Sequence, residues 1–245
     1  MIYNINYTIN GGYNEISKYY TSLDIKNKLL NLLEKVHKLL KKHNIKYTIS
    51  YGTLLGAVRH NDIIPWDDDI DLDVEDRDLK KLMSNEFNED LKKNDMVLFN
   101  YQHNNLPDKK PIFFKIYDKN GSDTGYPWKF PFVDIFIIEI KDGKYIKNYK
   151  PGILSSNFSP PNDYYNLDQF NNLAKYNFNR LTLDGISNPD EYLDRYYKKW
   201  RTYAYISCWN HEKEKTSNNC GIKLDLTNIN NIKIIEPELN KRMLN

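Results

Sequence analysis

The side chains with the greatest capacity for chemistry are concentrated between residues 51 and 74. Six aspartates lie between Asp62 and Asp73, and from residue 69 onward they alternate with apolar residues in the order Asp-Ile-Asp-Leu-Asp-Val. Successive side chains of a strand point to opposite faces, so this pattern predicts a strand with one apolar face and one carboxylate face. Carboxylates held side by side repel one another unless a cation lies between them. The segment therefore predicts a divalent metal site.

Two of these aspartates, Asp69 and Asp71, are the predicted ligands on the carboxylate face. Hard carboxylate oxygens suit Mg²⁺ or Mn²⁺, and Mg²⁺ commonly binds one or two carboxylates together with substrate phosphates. The best third ligand is Asp134, which interrupts the otherwise apolar segment 131–138. A lone charge in such a segment is costly to bury unless a cation is paired with it. We therefore predict that Asp69, Asp71 and Asp134 bind Mg²⁺ or Mn²⁺.

The remaining aspartates of the cluster have less specific environments. Asp62, Asp67 and Asp68 fit a solvated loop or helix caps as well as they fit a site. Asp73 is expected to be structural because it lies beyond the part of the strand that faces the metal. These alternatives cannot be separated by spacing alone.

A phosphate site is predicted just before the aspartates, where Gly52 and Thr53 connect a strand to a short helix. A glycine there lets a phosphate approach the backbone, and a helix N-terminus offers free N–H groups. This signal is weak alone and gains weight from the aspartates that follow. Arg59 could hold a phosphate through its planar guanidinium or form a salt bridge with a nearby aspartate. His60 and Trp66 are expected to be structural or to form a substrate wall.

Length, composition and net charge limit the classes of protein to which the chain can belong. The chain has 245 residues, 40% of them hydrophobic, which suits one large domain or two small ones. A net charge of +2 gives no electrostatic reason to expect a nucleic-acid partner. The N-terminus lacks a charged region followed by an apolar run, and no segment approaches the roughly 20 apolar residues of a membrane span. We expect a soluble, cytoplasmic protein without a membrane span.

The chain has two cysteines, Cys208 and Cys220, which do not form a disulfide framework. Together with His211 they offer three zinc ligands, but their spacing fits no standard zinc pattern. We therefore expect free thiols.

Hydrophobic periodicity predicts helices and strands in mixed order. The expected helices are 23–43, 53–59 and 76–83, and the expected strands are 45–51, 69–74, 96–102, 111–117 and 132–140. Residues 118–123 are predicted to form a turn, and Asp142-Gly143 is predicted to form a hairpin. After residue 161 the pattern favours helices, including one that starts near Asn188.

This order predicts an α+β fold, with a mixed sheet flanked by helices and a helical C-terminal part. We expect residues 1–21 to form an N-terminal arm, residues 22–210 to form the catalytic domain and residues 211–245 to form an extension without assigned structure.

Three segments together resemble the LicD/fukutin family. They are Tyr51-Gly-Thr-Leu-Leu-Gly-Ala-Val-Arg-His60, Ile64-Pro-Trp-Asp-Asp-Asp-Ile-Asp-Leu72 and Phe132-Val-Asp-Ile-Phe136. The resemblance implies a nucleotidyltransferase-like fold. It maps the family's metal-binding aspartates onto Asp67, Asp69 and Asp71, with the later carboxylate at Asp134. It also places Lys115 where members often have a basic residue, which makes it a possible phosphate contact.

The resemblance also implies a reaction. Family members transfer a phospho-alcohol, such as phosphocholine or ribitol or glycerol phosphate, from a CDP-activated donor to a hydroxyl of a glycan or glycolipid. In that reaction Asp67 or Asp134 could accept the proton of the attacking hydroxyl. Two alternatives stay open at this point. The chain could transfer a nucleoside monophosphate instead, or it could be a non-catalytic relative that binds nucleotides or glycans.

Overall fold

The computed structural model describes residues 7–8, 19–102, 111–147, 163–206, 209–216 and 222–227. The strands are β1 (Tyr7–Thr8), β2 (Tyr47–Ile49), β3 (Asp71–Glu75), β4 (Met96–Gln102), β5 (Pro111–Asp123), β6 (Lys129–Lys141), β7 (Lys144–Lys147), β8 (Tyr164–Asn166), β9 (Ala174–Phe178), β10 (Leu181–Gly185), β11 (Tyr203–Ile206), β12 (Trp209–Asn210), β13 (Lys215–Thr216) and β14 (Ile222–Asp225). The helices are α1 (Leu23–Lys42), α2 (Tyr51–His60), α3 (Leu79–Leu82), α4 (Asn85–Lys93), α5 (Leu167–Asn171) and α6 (Pro189–Tyr197), and a 3₁₀ turn spans Asp76–Asp78.

Nine strands form the central sheet, in which seven follow the order β4-β5-β6-β3-β2-β10-β9. The remaining two extend from β6, since β7 pairs with β6 and β8 pairs with β7. Strand β3 runs parallel to β6 and antiparallel to β2. This mixed sheet with its flanking helices confirms the predicted α+β class.

The long helix α1 forms because apolar residues recur along one of its faces. Ser22 caps it by accepting a hydrogen bond from the backbone N–H of Ile25 at 3.3 Å. Its buried stripe packs against the central sheet and consists of Leu29, Leu30, Leu32, Leu33, Val36, Leu39 and Leu40. The predicted helix is confirmed, and it ends at Lys42, one residue before the expected end.

Strands β3 and β6 lie in the middle of the sheet, and their apolar side chains form the core. Leu72, Val74, Ile135 and Ile137 are completely buried. The aspartates that alternate with the apolar residues of β3 point to the other face. The predicted two-sided strand is therefore observed, although β3 starts at Asp71 and Asp69 lies in the segment before it.

One of two expectations about local structure was wrong. Residues 118–123 continue β5 rather than forming a turn, and a register shift between Tyr117 and Ser122 accommodates them. The close approach of the strands at this point requires Gly121, because a Cβ at that residue would clash with the carbonyl oxygen of Phe130. The hairpin at Asp142-Gly143 is confirmed, and both residues have positive φ angles.

The C-terminal part is not predominantly helical, contrary to the prediction. In the described residues 163–206, 209–216 and 222–227, α5 and α6 are the helices and the other regular elements are strands. Strands β9 and β10 form an antiparallel hairpin that extends the central sheet beside β2. In β10 the side chains of Leu181 and Leu183 pack against the core, whereas Thr182 is exposed and the buried carboxylate of Asp184 pairs with two lysines.

A small second sheet joins one strand from the N-terminal part of the chain to two strands from the C-terminal part. Strand β1, in the predicted N-terminal arm, pairs in parallel with β14, which also pairs with β11. Strands β12 and β13 form a separate short hairpin. Within the described part of the chain, none of the helices has the length and apolar character that crossing a membrane requires.

Candidate metal and phosphate site

The site is organised around two paired residues of the central sheet. Asp71 of β3 and Asp134 of β6 are register partners, and the backbone N–H of Asp134 donates to the carbonyl of Ile70 at 2.8 Å. The backbone N–H of Asp71 donates to the hydroxyl of Thr53 at 2.8 Å. Both aspartates are buried. The sheet and α2 thus fix the positions of two carboxylates.

Asp69 joins this pair from the segment before β3. One carboxylate oxygen from each of Asp69, Asp71 and Asp134 lies within 4.8 Å of the others. The structure therefore brings together the three residues that the sequence predicts as metal ligands. Hard oxygens converging at this separation are the donor set that Mg²⁺ and Mn²⁺ prefer.

The electrostatics of this cluster favour a cation. Burial, followed by the charges of Asp69 and Asp134, raises the pKa of Asp71 well above its usual range. Burial also raises the pKa of Asp134, although Lys115 opposes the increase. The Oδ1 atom of Asp134 is buried and has Lys115 Nζ at 2.8 Å, in a geometry that does not make a hydrogen bond. A buried acceptor beside two further carboxylates fits a divalent metal ion.

Lys115 is the basic partner of Asp134. Its Nζ donates to Asp134 Oδ2 at 2.9 Å, lies 2.8 Å from Oδ1 and stands 3.5 Å from the centre of the Phe132 ring. The side chain is buried and does not line the cavity described below. Its position therefore suits the orientation and charge balance of Asp134 better than the expected direct contact with phosphate.

Asp67 lies against the start of α2. Its Oδ2 is so close to Gly52 that a Cβ on that residue would stand 2.6 Å away. Burial, the charge of Asp69 and a hydrogen bond with Asp69 raise the pKa of Asp67 well above its usual range. Gly52 therefore makes room for a carboxylate, and Thr53 positions Asp71 through its hydroxyl. Helix α2 starts two residues earlier than predicted.

Arg59 brings a buried positive charge to the same site. Its Nε donates to His60 Nε2 at 2.9 Å, and Nη1 lies 3.4 Å from the carbonyl oxygen of Trp200. Burial lowers the pKa of Arg59 to about 10. Among the described residues its guanidinium forms no ion pair with a carboxylate, so the predicted salt bridge with a nearby aspartate is not observed.

These groups line one cavity of about 420 Å³. Its polar lining comprises Arg59, Asp67, Asp69, Asp71, Asp134 and His211, together with the backbone of Gly52. Its aromatic lining comprises Tyr51, Trp66, Phe136, Tyr196, Tyr197, Trp200, Tyr203 and Tyr205. Trp66 is therefore a wall residue, whereas His60 is buried against Arg59. The cavity combines carboxylates, a guanidinium and flat apolar surfaces.

Tyr51 occupies a strained position at the edge of the cavity. Its φ angle of 43° is unusual for an aromatic residue. Its hydroxyl donates to Asp163 at 2.6 Å, and its ring meets Phe136 edge to face with centroids 5.4 Å apart. These contacts hold the first residue of α2 in the conformation that starts the helix beside the aspartates.

Sequence reasoning missed two residues of the β12–β13 hairpin. His211 Nδ1 lies 2.7 Å from Asp68 Oδ1, and Nε2 lies 3.1 Å from Asp69 Oδ2. Burial opposes protonation, but Asp69 and Asp68 outweigh it and raise the pKa of His211 to about 10. The Oε1 atom of Glu214 accepts a hydrogen bond from Trp128 Nε1 at 2.8 Å. The β12–β13 hairpin is thus held by contacts of His211 with Asp68 and Asp69 and by the contact of Glu214 with Trp128.

The only sequence signal for His211 was its place in a weak zinc pattern. Cys208 and Cys220, the other members of that pattern, lie outside the described residues. The structure places His211 among aspartates instead.

The other aspartates have structural partners. Asp73 is completely buried and interacts with Lys147 and with the hydroxyl of Tyr165, as expected for a structural residue. Asp62 accepts hydrogen bonds from Ile63 N at 2.7 Å and from Asn179 Nδ2 at 2.8 Å. Of the three residues for which a local role stayed open, Asp62 has that role, whereas Asp67 and Asp68 belong to the site.

Comparison with known proteins assigns a family to this arrangement. The model of the family described as LicD/FKTN/FKRP, nucleotidyltransferase domain, matches residues 44–184, which include Asp69, Asp71 and Asp134. The chain belongs to this family. Two relatives are uncharacterized Rickettsia proteins: that of Rickettsia typhi is 32% identical over 192 residues and that of Rickettsia prowazekii is 30% identical over 192 residues. Each match covers 78% of this chain, and they cover 52% and 62% of the two relatives.

Shorter matches of this LicD-family chain lead to proteins with named activities. The lipopolysaccharide cholinephosphotransferase LicD of Haemophilus influenzae is 51% identical over 43 residues, or 18% of this chain and 16% of that protein. The ribitol 5-phosphate transferase FKRP of Homo sapiens is 51% identical over 35 residues, or 14% of this chain and 7% of that protein. Family membership suggests a transferase.

Proposed function

We propose that this LicD-family chain is a metal-dependent transferase. It moves a phospho-alcohol of the phosphocholine, ribitol phosphate or glycerol phosphate type from a CDP-activated donor to a hydroxyl of a glycan or glycolipid. The observation that carries the proposal is the convergence of Asp69, Asp71 and Asp134 in one cavity with Arg59. The names of LicD and FKRP support a transferred phospho-alcohol group.

In this proposal Asp69, Asp71 and Asp134 hold Mg²⁺ or Mn²⁺. The metal supplies charge neutralisation for the donor diphosphate and for the departing CMP. Asp71 and Asp134 are fixed by backbone hydrogen bonds, so their carboxylates need little rearrangement before substrate binds. The ammonium group of Lys115 donates a hydrogen bond to Asp134 and restricts the orientation of the Asp134 carboxylate.

Arg59 is the proposed phosphate ligand. A buried guanidinium is costly unless an anion accompanies it. Among the described residues Asp67 acts on the guanidinium by its charge, but no carboxylate forms an ion pair with it. The guanidinium has the fork geometry that matches phosphate oxygens. We assign Arg59 to the donor diphosphate and the neighbouring aromatic residues to the flat surface of the cytosine ring.

Asp67 is the proposed proton acceptor. Burial and its carboxylate neighbours increase its affinity for a proton, which suits a general base. The acceptor hydroxyl transfers its proton to the Asp67 carboxylate as its oxygen forms a bond to the phosphorus of the phospho-alcohol. The bond between that phosphorus and the CMP oxygen breaks, and CMP leaves with the electron pair. The position of Asp67 against Gly52 fixes this carboxylate beside the metal ligands.

Product analysis with wild-type protein and Mg²⁺ or Mn²⁺ tests the proposal. CDP-choline, CDP-ribitol and CDP-glycerol are supplied with a glycan acceptor, and the product is examined by mass spectrometry. We expect the acceptor to gain the mass of the phospho-alcohol and CMP to be released, with no product from Asp71→Asn. The Asp62→Asn variant serves as the control because the Asp62 side chain accepts hydrogen bonds from Ile63 and Asn179 and does not line the cavity.

Nucleotidyl transfer is the second candidate, because the matching family model describes a nucleotidyltransferase domain. The same mass spectrum separates the two reactions. An acceptor that gains a nucleoside monophosphate would contradict phospho-alcohol transfer and support the second candidate.

A further inference from the structure

The inference concerns how Asp68 holds His211. The backbone N–H of His211 donates to Asp68 Oδ2 at 3.0 Å, and the ring Nδ1 lies 2.7 Å from Asp68 Oδ1. Both oxygens of one carboxylate therefore contact the same histidine. The side chains are shielded, with exposed fractions of 18% for His211 and 12% for Asp68. This double contact fixes the direction of the imidazole ring.

The fixed ring directs its other nitrogen at a proposed metal ligand. His211 Nε2 lies 3.1 Å from Asp69 Oδ2. Two neighbouring ligands of an octahedral ion, with bonds of about 2.1 Å at right angles, lie about 3 Å apart. Asp69 belongs both to the group with Asp71 and Asp134 and to a second group with Asp68 and His211. The His211 Nε2 atom thus lies at the distance of a neighbouring ligand from Asp69 alone, because His211 forms no group within 4.8 Å with Asp71 or Asp134.

The contacts of the His211 ring resemble those of a metal-binding histidine. A histidine that binds a metal usually donates its second ring N–H to a carboxylate, which fixes its tautomer and orientation. Here Asp68 occupies the position of that carboxylate on Nδ1, and Nε2 faces the metal ligands. A surface ion pair would require neither the second contact from the backbone of His211 nor the convergence on Asp69.

We propose that, when a metal binds, His211 moves closer to Asp71 and Asp134, releases its Nε2 proton to solvent and supplies a nitrogen ligand to the metal centre of Asp69, Asp71 and Asp134. Asp68 is the positioning residue for this ligand. The proposal rests on the metal site of the proposed function. Imidazole is a common ligand of transition metals, whereas Mg²⁺ prefers oxygen ligands. The centre therefore selects Mn²⁺ over Mg²⁺.

Pulsed electron paramagnetic resonance of the full chain loaded with Mn²⁺ tests this ligand directly. A coordinated imidazole produces a ¹⁴N coupling at the manganese, which we expect in the wild type and not in His211→Ala. His43→Ala is the matched control, because His43, directly after α1, pairs with Asp90 of α4 rather than with the site. A manganese signal without ¹⁴N coupling in the wild type would overturn the proposal.

Metal titration gives a second readout with opposite expectations for the two roles of His211. If His211 is a ligand, Asp68→Asn weakens Mn²⁺ binding by about 10- to 100-fold. Loss of His211 itself weakens Mn²⁺ binding at least as much, and Mg²⁺ binding much less. As a mere countercation to the aspartates, its loss would tighten the binding of both ions, which would contradict the proposal. Circular dichroism verifies that the variants are folded.

These outcomes separate the inference from the proposed function. If Mn²⁺ binds through oxygen ligands alone, only the role of His211 fails. If neither ion binds the wild type, the carboxylate site fails and the nitrogen ligand fails with it.

Discussion

Asp71 and Asp134 face each other as paired residues of the parallel strands β3 and β6, and both carboxylates are buried. Two buried acids at adjacent strand positions oppose folding when both are charged. Their positions are nevertheless fixed, because the backbone N–H of each residue has a defined acceptor. This combination of electrostatic cost and fixed geometry is typical of a binding site rather than of a core.

The first prediction is that Asp71→Asn stabilises the metal-free protein. The pKa of Asp71 is raised in the folded state, so the folded protein holds its proton more tightly than the unfolded chain. Stability in EDTA should therefore fall as the pH rises from about 4 through the raised pKa, and removing the charge should reduce this fall. At pH 8 we expect the thermal midpoint to rise by about 2–4 °C for each 1 kcal/mol gained.

Thermal unfolding in EDTA at pH 5 and pH 8 measures this effect. Asp62→Asn should leave the difference between the two pH values unchanged. A variant Asp71→Asn with a lower midpoint than the wild type at pH 8 would show that the carboxylate is not under electrostatic strain.

The second prediction concerns the hydroxyl that holds Asp71. Thr53→Val removes the acceptor of the Asp71 backbone N–H and leaves that donor buried without a partner. We expect a loss of about 1–3 kcal/mol in the free energy of unfolding, together with weaker Mn²⁺ binding. Thr53→Ser keeps the hydroxyl and should retain most of both. Urea denaturation measures the free energy of unfolding. Equal values for the two variants would show that the Thr53 hydroxyl does not stabilise the position of Asp71.

The third prediction separates Asp67 from the metal ligands. In Gly52→Ala the new Cβ would meet Asp67 Oδ2 at 2.6 Å, so the carboxylate must move. We expect kcat to fall by about 10- to 100-fold, since a displacement of about 1 Å in a catalytic group is that costly. Mn²⁺ binding should stay close to that of the wild type. Steady-state kinetics and metal titration measure the two effects, and unchanged kcat would argue against Asp67 as the proton acceptor.

The fourth prediction is that Arg59 binds the donor and not the metal. Arg59→Lys keeps a positive charge but loses the planar fork, and Arg59→Gln loses both. We expect Arg59→Gln to weaken binding of a CDP-alcohol by about 1.5–3 kcal/mol, the range for hydrogen bonds to charged groups, with a smaller loss for Arg59→Lys. Calorimetric titration of CDP-choline in the presence of Mn²⁺ measures both. Full donor affinity in Arg59→Gln would contradict the assignment.

Much of this architecture could be predicted because its signals are local. Helix α1 has a continuous apolar stripe and a serine cap, and the aspartates of β3 alternate with core residues. The single charge in the apolar segment 131–138 indicated Asp134 as a partner of that face. Each of these features follows from the side-chain period of one element.

The rest of the site depends on contacts between distant parts of the chain. His211 meets Asp68 across 143 positions of sequence, from a short hairpin in an aperiodic segment. Lys115 was expected to contact phosphate, but cross-strand pairing of β5 with β6 places it beside Asp134. The strands after residue 163, where the sequence pattern favours helices, form by pairing with strands from other parts of the chain. No local pattern specifies such partners.

Calorimetric titration of Mn²⁺ into the metal-free protein tests the central claim most directly. The account predicts a defined site in the wild type that Asp71→Asn and Asp134→Asn each weaken by at least about tenfold, whereas Asp62→Asn leaves it intact. Wild-type affinity in both of the first two variants, or no binding by the wild type, would contradict the claim that these carboxylates share a metal ion.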